Sequence, residues 1–145
     1  MAEAGRIELR VGGNLDLDEV IDVYRASGLA ERRPAEDRRR MALMLASANL
    51  IVSAWEAGAM VGIARSLTDH TYVTYLSDLA VRASHQRTGV GRALIERTRR
   101  ECEPGARLVL LAAPAAVDYY ARLGFERHPS AWMLLGTDRL TPGPG

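Results

Sequence analysis

The sequence predicts one mixed α/β (α+β) domain, with short strands and amphipathic helices sharing a single sheet. Three observations predict it. The chain has 145 residues, a length ordinary for one domain and sufficient to bury a core without disulfides or metals. Apolar residues make up 48% and charged residues 26%, the balance of a soluble globular protein. Apolar positions recur at two periods, alternation over short runs and a three-to-four spacing over longer ones, and the two kinds of run are interspersed along the chain.

Ile7 to Val11 alternates and stops at Gly12-Gly13, which reads as a first strand and its turn. Asp16 can cap the next segment with Glu19 three residues on, and Leu17, Val20, Ile21 and Tyr24 share a helical face that ends at Gly28. Past Pro34, the residues Met41, Met44, Leu45 and Ala48 repeat the stripe, with Arg38, Arg39 and Arg40 at its entrance as a solvated face. Leu50 to Trp55 and Met60 to Ile63 flank the turn-like stretch 56–59 as a hairpin, and a longer strand covers about Tyr72 to Val81.

A glycine-containing loop follows. The next helix carries Val90, Leu94, Thr98 and Cys102 on one face and ends at Pro104-Gly105. Arg107 to Ala113 is almost continuously apolar, as in a strand buried on both faces in the middle of a sheet. A last helix spans Ala115 to Leu123, Gly124 closes it, Phe125 opens another strand, and Ala131 to Leu135 reads as the final one. Residues 136–145 are expected to form a frayed tail. There is no internal repeat and no domain boundary, so 1–145 is expected to be one domain.

Composition excludes several function classes. The net charge is +1, from 19 basic and 18 acidic residues, which gives no global field toward nucleic acid or an anionic membrane. Every basic residue is Arg and none is Lys, so Arg as a residue type says little about function. The single Cys102 cannot form an intrachain disulfide and sits on an apolar stripe, where packing is the better reading than nucleophilic chemistry. The first ten residues do not look like a secretory signal, and no apolar run approaches membrane-spanning length, so a cytoplasmic protein is expected. His70, His85 and His128 lie without metal spacing, and no metal is expected.

The order strand, glycine loop, helix makes residues 86–92 a candidate anion site. Successive backbone N–H groups and the helix dipole converge there, and Gly89 and Gly91 allow close approach. Arg87 and Arg92 can add charge at the rim. Alone the pattern reads more readily as a plain turn, since many loops need glycine merely to turn. It is not a Walker loop, since the chain has no Lys, and it lacks the third glycine of a dinucleotide fingerprint.

Leu79-Ala80-Val81, four residues, then Gln86-Arg87-Thr88-Gly89-Val90-Gly91-Arg92 resembles the coenzyme motif of the GNAT N-acetyltransferase superfamily: Arg or Gln, two residues, Gly, one residue, Gly or Ala. Downstream, Ala116 and Tyr119-Tyr120-Ala121-Arg122-Leu123-Gly124-Phe125 resembles the family's late helix, with its tyrosine four residues before the glycine. The resemblance runs from roughly Ile51 to Leu135. It implies the GNAT fold: a mostly antiparallel mixed sheet of six to seven strands, strands 4 and 5 splayed apart, flanked by about four helices.

The same resemblance implies acetyl-CoA as co-substrate, held by the backbone of Leu79, Ala80 and Val81 along its pantetheine arm and by residues 86–92 at its pyrophosphate. It implies direct transfer of acetyl to a primary amine of a small molecule. Tyr120 matches the tyrosine that protonates the leaving thiol. Asp78, which interrupts the apolar strand just before Leu79, is the first choice for the general base, with a strand-edge carboxylate as its other reading; Ser77 stands where some members carry a further glutamate. Tyr75 occupies the place of the glutamate in protein-lysine-modifying members, which argues against a histone-like acceptor, and Tyr72 and Tyr75 can line an acceptor pocket. A homodimer is compatible with the family. The competing classes are a non-catalytic acyl-CoA sensor, against which Tyr120 argues, and, ranked last, a nucleic-acid binder, for which the Arg-rich helices lack interleaved aromatics.

Overall fold

The computed structural model describes residues 6–143. By the density of its internal packing the chain falls into two compact units, one reaching Leu111 and one beginning at Ala112.

The first unit is built on a five-stranded sheet in the order β1 (Glu8–Val11), β2 (Leu50–Glu56), β3 (Ala59–Thr68), β4 (Val73–Val81) and β5 (Arg107–Val109). Neighbours are antiparallel except β4 and β5, which run parallel. Three helices accompany it: α1 (Leu17–Ser27), α2 (Arg38–Ser47) and α3 (Val90–Arg100). Asp16 caps α1 by accepting from the Asp18 N–H, and Gly28 ends it at φ 90°. Asp37 caps α2 through the Arg40 N–H, so the helix starts at the Arg triplet itself.

The helices cover the sheet from both faces. Val20, Ile21, Val23 and Tyr24 of α1 join Met41, Ile51, Trp55, Met60, Ile63 and Ala80 in one buried cluster. Gly62, next to Ile63 and so directed to the other face, lies under α3: a Cβ there would come within 3.1 Å of Leu94 Cδ1 and 3.2 Å of Val90 Cγ1 and Ala80 O. α3 can approach the sheet this closely only because residue 62 lacks a side chain.

Two irregularities define β4. Its ladder with β5 covers only Val73–Tyr75 against Arg107–Val109, leaving Leu76 to Val81 with an open edge on that side. Its ladder with β3 steps from Arg65↔Asp78 to Ser66↔Leu76, so Ser77 is an extra residue without an opposite number, a β-bulge.

The second unit holds a 3₁₀ turn, Pro114–Ala116, and α4 (Val117–Arg122), with irregular backbone beyond. The expected GNAT architecture, a mixed sheet with four α-helices, is therefore present, and the parallel β4–β5 ladder holds three pairs, the full length of β5. The strand count differs. Among the described residues there are five strands, and neither Phe125 nor Ala131–Leu135 belongs to one; Trp132 is 94% exposed. An extended run becomes a strand only when a ladder partner takes its backbone groups, and apolar patterning does not supply that partner. The expected central strand at Arg107–Ala113 is likewise a three-residue edge strand, exposed at both ends, because among the described residues no strand flanks it on its outer side.

Candidate active site

The bulge at Ser77 decides what β4 presents to the open edge. Before it, Tyr72 O accepts from Arg107 N–H of β5 at 2.9 Å, and Val73 O accepts from Asp69 N–H on the β3 side, so even-numbered residues face β5. After it, Arg82 N–H donates to Val61 O at 2.9 Å, which places residues 82 and 80 toward β3 and turns Leu79 and Val81 toward the open edge. The side chains switch faces with the backbone. Thr74 Oγ1 lies 3.2 Å from Cys102 Sγ on the α3 side, whereas Asp78 reaches Tyr24 of α1.

Of the three residues expected along the coenzyme's arm, Leu79 and Val81 turn their backbone groups to the open edge of β4, and Ala80 turns its own toward β3. Val81 O already accepts from Gln86 Nε2 at 2.9 Å, and the same amide reaches Ser27 O at 3.3 Å. The Gln86 side chain therefore fastens the end of β4 to the end of α1, a structural task beside its place in the motif.

The glycine loop leads from a 3₁₀ turn, Ala83–His85, into α3. Arg87 (φ 64°) and Gly89 (φ 92°) both take left-handed backbone, and Gly89 is the N-cap with no side-chain cap bond. The first internal bond of α3 runs from Ala93 N–H to Gly89 O at 3.0 Å, so the N–H groups of Val90, Gly91 and Arg92 precede the helical ladder. Thr88 Oγ1 donates to His85 O, bracing the turn. Gly91 is buried while 86–89 are exposed, and Arg92 pairs with Glu96 at 3.2 Å. These uncapped donors and the helix dipole suit a pyrophosphate.

Asp78 is 1% exposed and fully engaged. Its Oδ1 accepts from Arg33 Nε at 2.5 Å and its Oδ2 from Arg65 Nε at 2.5 Å and Tyr24 Oη at 2.6 Å. Burial alone would raise this carboxyl; the hydrogen bonds from Arg65 and Tyr24, the Arg65 charge and the Arg33 bond outweigh it and hold the carboxyl below the ordinary aspartate range. Arg65 also donates to Met44 O and to Ser77 Oγ, and Arg33 to Ser77 O. Sequence reasoning missed Arg33, Arg65 and Tyr24. The available signal was a lone Arg following the apolar run Val61–Ala64, muted because all basic residues here are Arg.

Tyr72 is 60% exposed, with Arg107 Cζ 4.7 Å from its ring centroid. It precedes β4, whose other end leads to the glycine loop, about 30 Å of extended chain away. Tyr75 is half-buried in the paired part of β4. Neither is brought to the loop.

In the second unit, Tyr120 lies on α4, half-buried, with edge-on ring contacts to Tyr119 (5.2 Å) and Phe125 (5.4 Å). Burial, with the neighbouring Tyr119, pushes its hydroxyl up to about 12. It therefore carries its proton at neutral pH.

The mixed sheet, the open edge of β4 beyond Tyr75 and the uncapped glycine loop before α3 are the features against which known proteins can be compared. The family model described as acetyltransferase (GNAT) domain matches residues 20–132, and the chain belongs to this family. It is 28% identical over 124 residues to probable acetyltransferase TAP2 of Glycine max, covering 75% of this chain and 50% of that protein. It is 29% identical over 135 residues to serotonin N-acetyltransferase 2, chloroplastic, of Oryza sativa subsp. japonica, covering 90% of this chain and 66% of that protein. The chain thus spans between half and two thirds of these relatives' lengths. The solved structure of aminoglycoside N-acetyltransferase AAC(6')-Iy in complex with CoA shares the fold at a TM-score of 0.71 with 19% identity, covering 95% of this chain and all of that one.

Proposed function

We propose that the protein is an acyl-CoA-dependent N-acyltransferase that moves the acetyl group of acetyl-CoA to a primary amine of a small molecule in a ternary complex. The observation that carries this reading is the uncapped N-terminus of α3, with left-handed Gly89 and Arg87, directly following a strand whose Leu79 and Val81 face an open edge. The names of the rice relative and of the solved aminoglycoside enzyme specify transfer to nitrogen, which supports an amine acceptor.

In this reaction the amine nitrogen bonds to the acetyl carbonyl carbon, the C–S bond breaks, the nitrogen loses a proton to water and the thiolate gains one. The Leu79 N–H, turned to the open edge, is suited to the thioester oxygen as negative charge develops there. The resemblance assigns Tyr120 the protonation of the departing sulfur, and a hydroxyl held protonated is chemically fitted to it. Asp78 is poorly fitted to the base role: both carboxylate oxygens are bound and its proton affinity is low.

Calorimetric titration with acetyl-CoA tests the loop. The wild type is expected to bind saturably, and Gly89→Val, which forces a β-branched residue to φ 92°, to bind at least about tenfold more weakly. Equal binding by both would remove the loop from the site.

A further inference from the structure

The buried cluster of Tyr24, Arg33, Arg65 and Asp78 joins four separate segments of chain at the bulge. Each arginine makes a two-pronged contact with it. Arg33 places Nε on Asp78 Oδ1 and Nη2 on Ser77 O at 2.8 Å; Arg65 places Nε on Asp78 Oδ2 and Nη2 on Ser77 Oγ at 2.9 Å. The bulged residue is thereby held by its carbonyl and by its hydroxyl, and both guanidinium groups are oriented by the one carboxylate. We propose that Asp78 is a positioning residue for acyl transfer: through Arg33 and Arg65 it fixes the Ser77 bulge, and the bulge turns the Leu79 N–H to the open edge of β4, where it can meet a thioester oxygen.

Strand parity sets which way each β4 backbone group points. Without an extra residue at 77 the alternation set by Tyr72 and Val73 would continue, and Leu79 would direct its N–H at β3 instead of at the open edge. A bulge costs a ladder position and leaves the extra residue's backbone groups unmatched. Here Arg33 satisfies the Ser77 carbonyl, and Asp78 holds Arg33 and Arg65 by charge-assisted bonds in a place where an unpaired charge would be costly. Arg33 comes from the segment between α1 and α2, so the connection before α2 sets the geometry of β4.

This inference rests on the proposed acyl transfer, and its test separates the two. The amide resonances of Leu79 and Val81 are followed in the coenzyme-free protein, and the pH dependence of kcat is measured with a reactive amine, for wild type, Asp78→Asn and Arg33→Met. Both variants are expected to shift the Leu79 amide and to lower kcat about 100-fold. Asp78→Asn is expected to keep the acidic limb of the profile where the wild type has it. Loss of that limb in Asp78→Asn, with Arg33→Met retaining full kcat and an unmoved Leu79 amide, would make Asp78 the base and overturn the proposal. If Asp78→Asn does not fold, Arg33→Met, altered at a side chain on the rim of the cluster, decides alone. If no amine supports turnover by the wild type, the proposed function fails, and an unmoved Leu79 amide in Arg33→Met still overturns this inference.

Discussion

Tyr24 Oη lies 2.6 Å from Asp78 Oδ2, joining α1 to β4 across 54 residues of chain. Both side chains are almost inaccessible to water. Burial and the Asp78 charge raise the tyrosine hydroxyl well above its ordinary range, so it serves as a permanent donor. Removing only this oxygen, in Tyr24→Phe, is expected to lower the unfolding free energy by about 1.5–3 kcal/mol, the worth of a hydrogen bond to a charged group. Urea denaturation checks it, with the slope unchanged.

The Asp78 carboxylate should make stability depend on acid in a specific window. Its folded pKa is depressed, so its contribution is complete above the unfolded value of about 4 and disappears as pH falls through the lower folded value. Asp78→Asn leaves Arg65 buried without its partner and is expected to cost about 3–5 kcal/mol at pH 6. Denaturation of both proteins from pH 6 to pH 2 should show that difference intact down to about pH 4 and shrinking below it. A difference that grows on acidification would contradict the pairing.

Tyr120→Phe is expected to lower kcat by about 100-fold or more while leaving acetyl-CoA affinity unchanged, as for loss of a general acid. Because the hydroxyl is pushed up to about 12, the wild-type rate should show no alkaline decline from this group up to pH 10. Steady-state kinetics over pH 6–10 measure both.

Much of this arrangement was legible in the sequence because it rests on short-range chemistry. Asp16, Gly28 and Gly89 announce helix ends through local capping and left-handed backbone, and the glycine loop follows its strand in unbroken order. The buried cluster was not legible. Arg33 and Asp78 lie 45 residues apart, and only the folded topology brings them together. The bulge at Ser77 was equally hidden, since it depends on the register with β3 and leaves no mark in the alternation of β4. Arg107–Ala113 misled because an apolar run reports hydrophobicity and not the number of neighbouring strands. Ala131–Leu135 misled for the same reason: its pattern suits a strand, but no ladder partner takes it among the described residues.

Transfer of acetyl from acetyl-CoA to an amine is measured by thiol release from acetyl-CoA with a panel of small amines, with the products weighed by mass spectrometry. Amine-dependent release of one thiol for each N-acetylated product is expected. Saturable binding of acetyl-CoA with no amine-dependent thiol release across the panel would contradict it and leave a coenzyme-binding module.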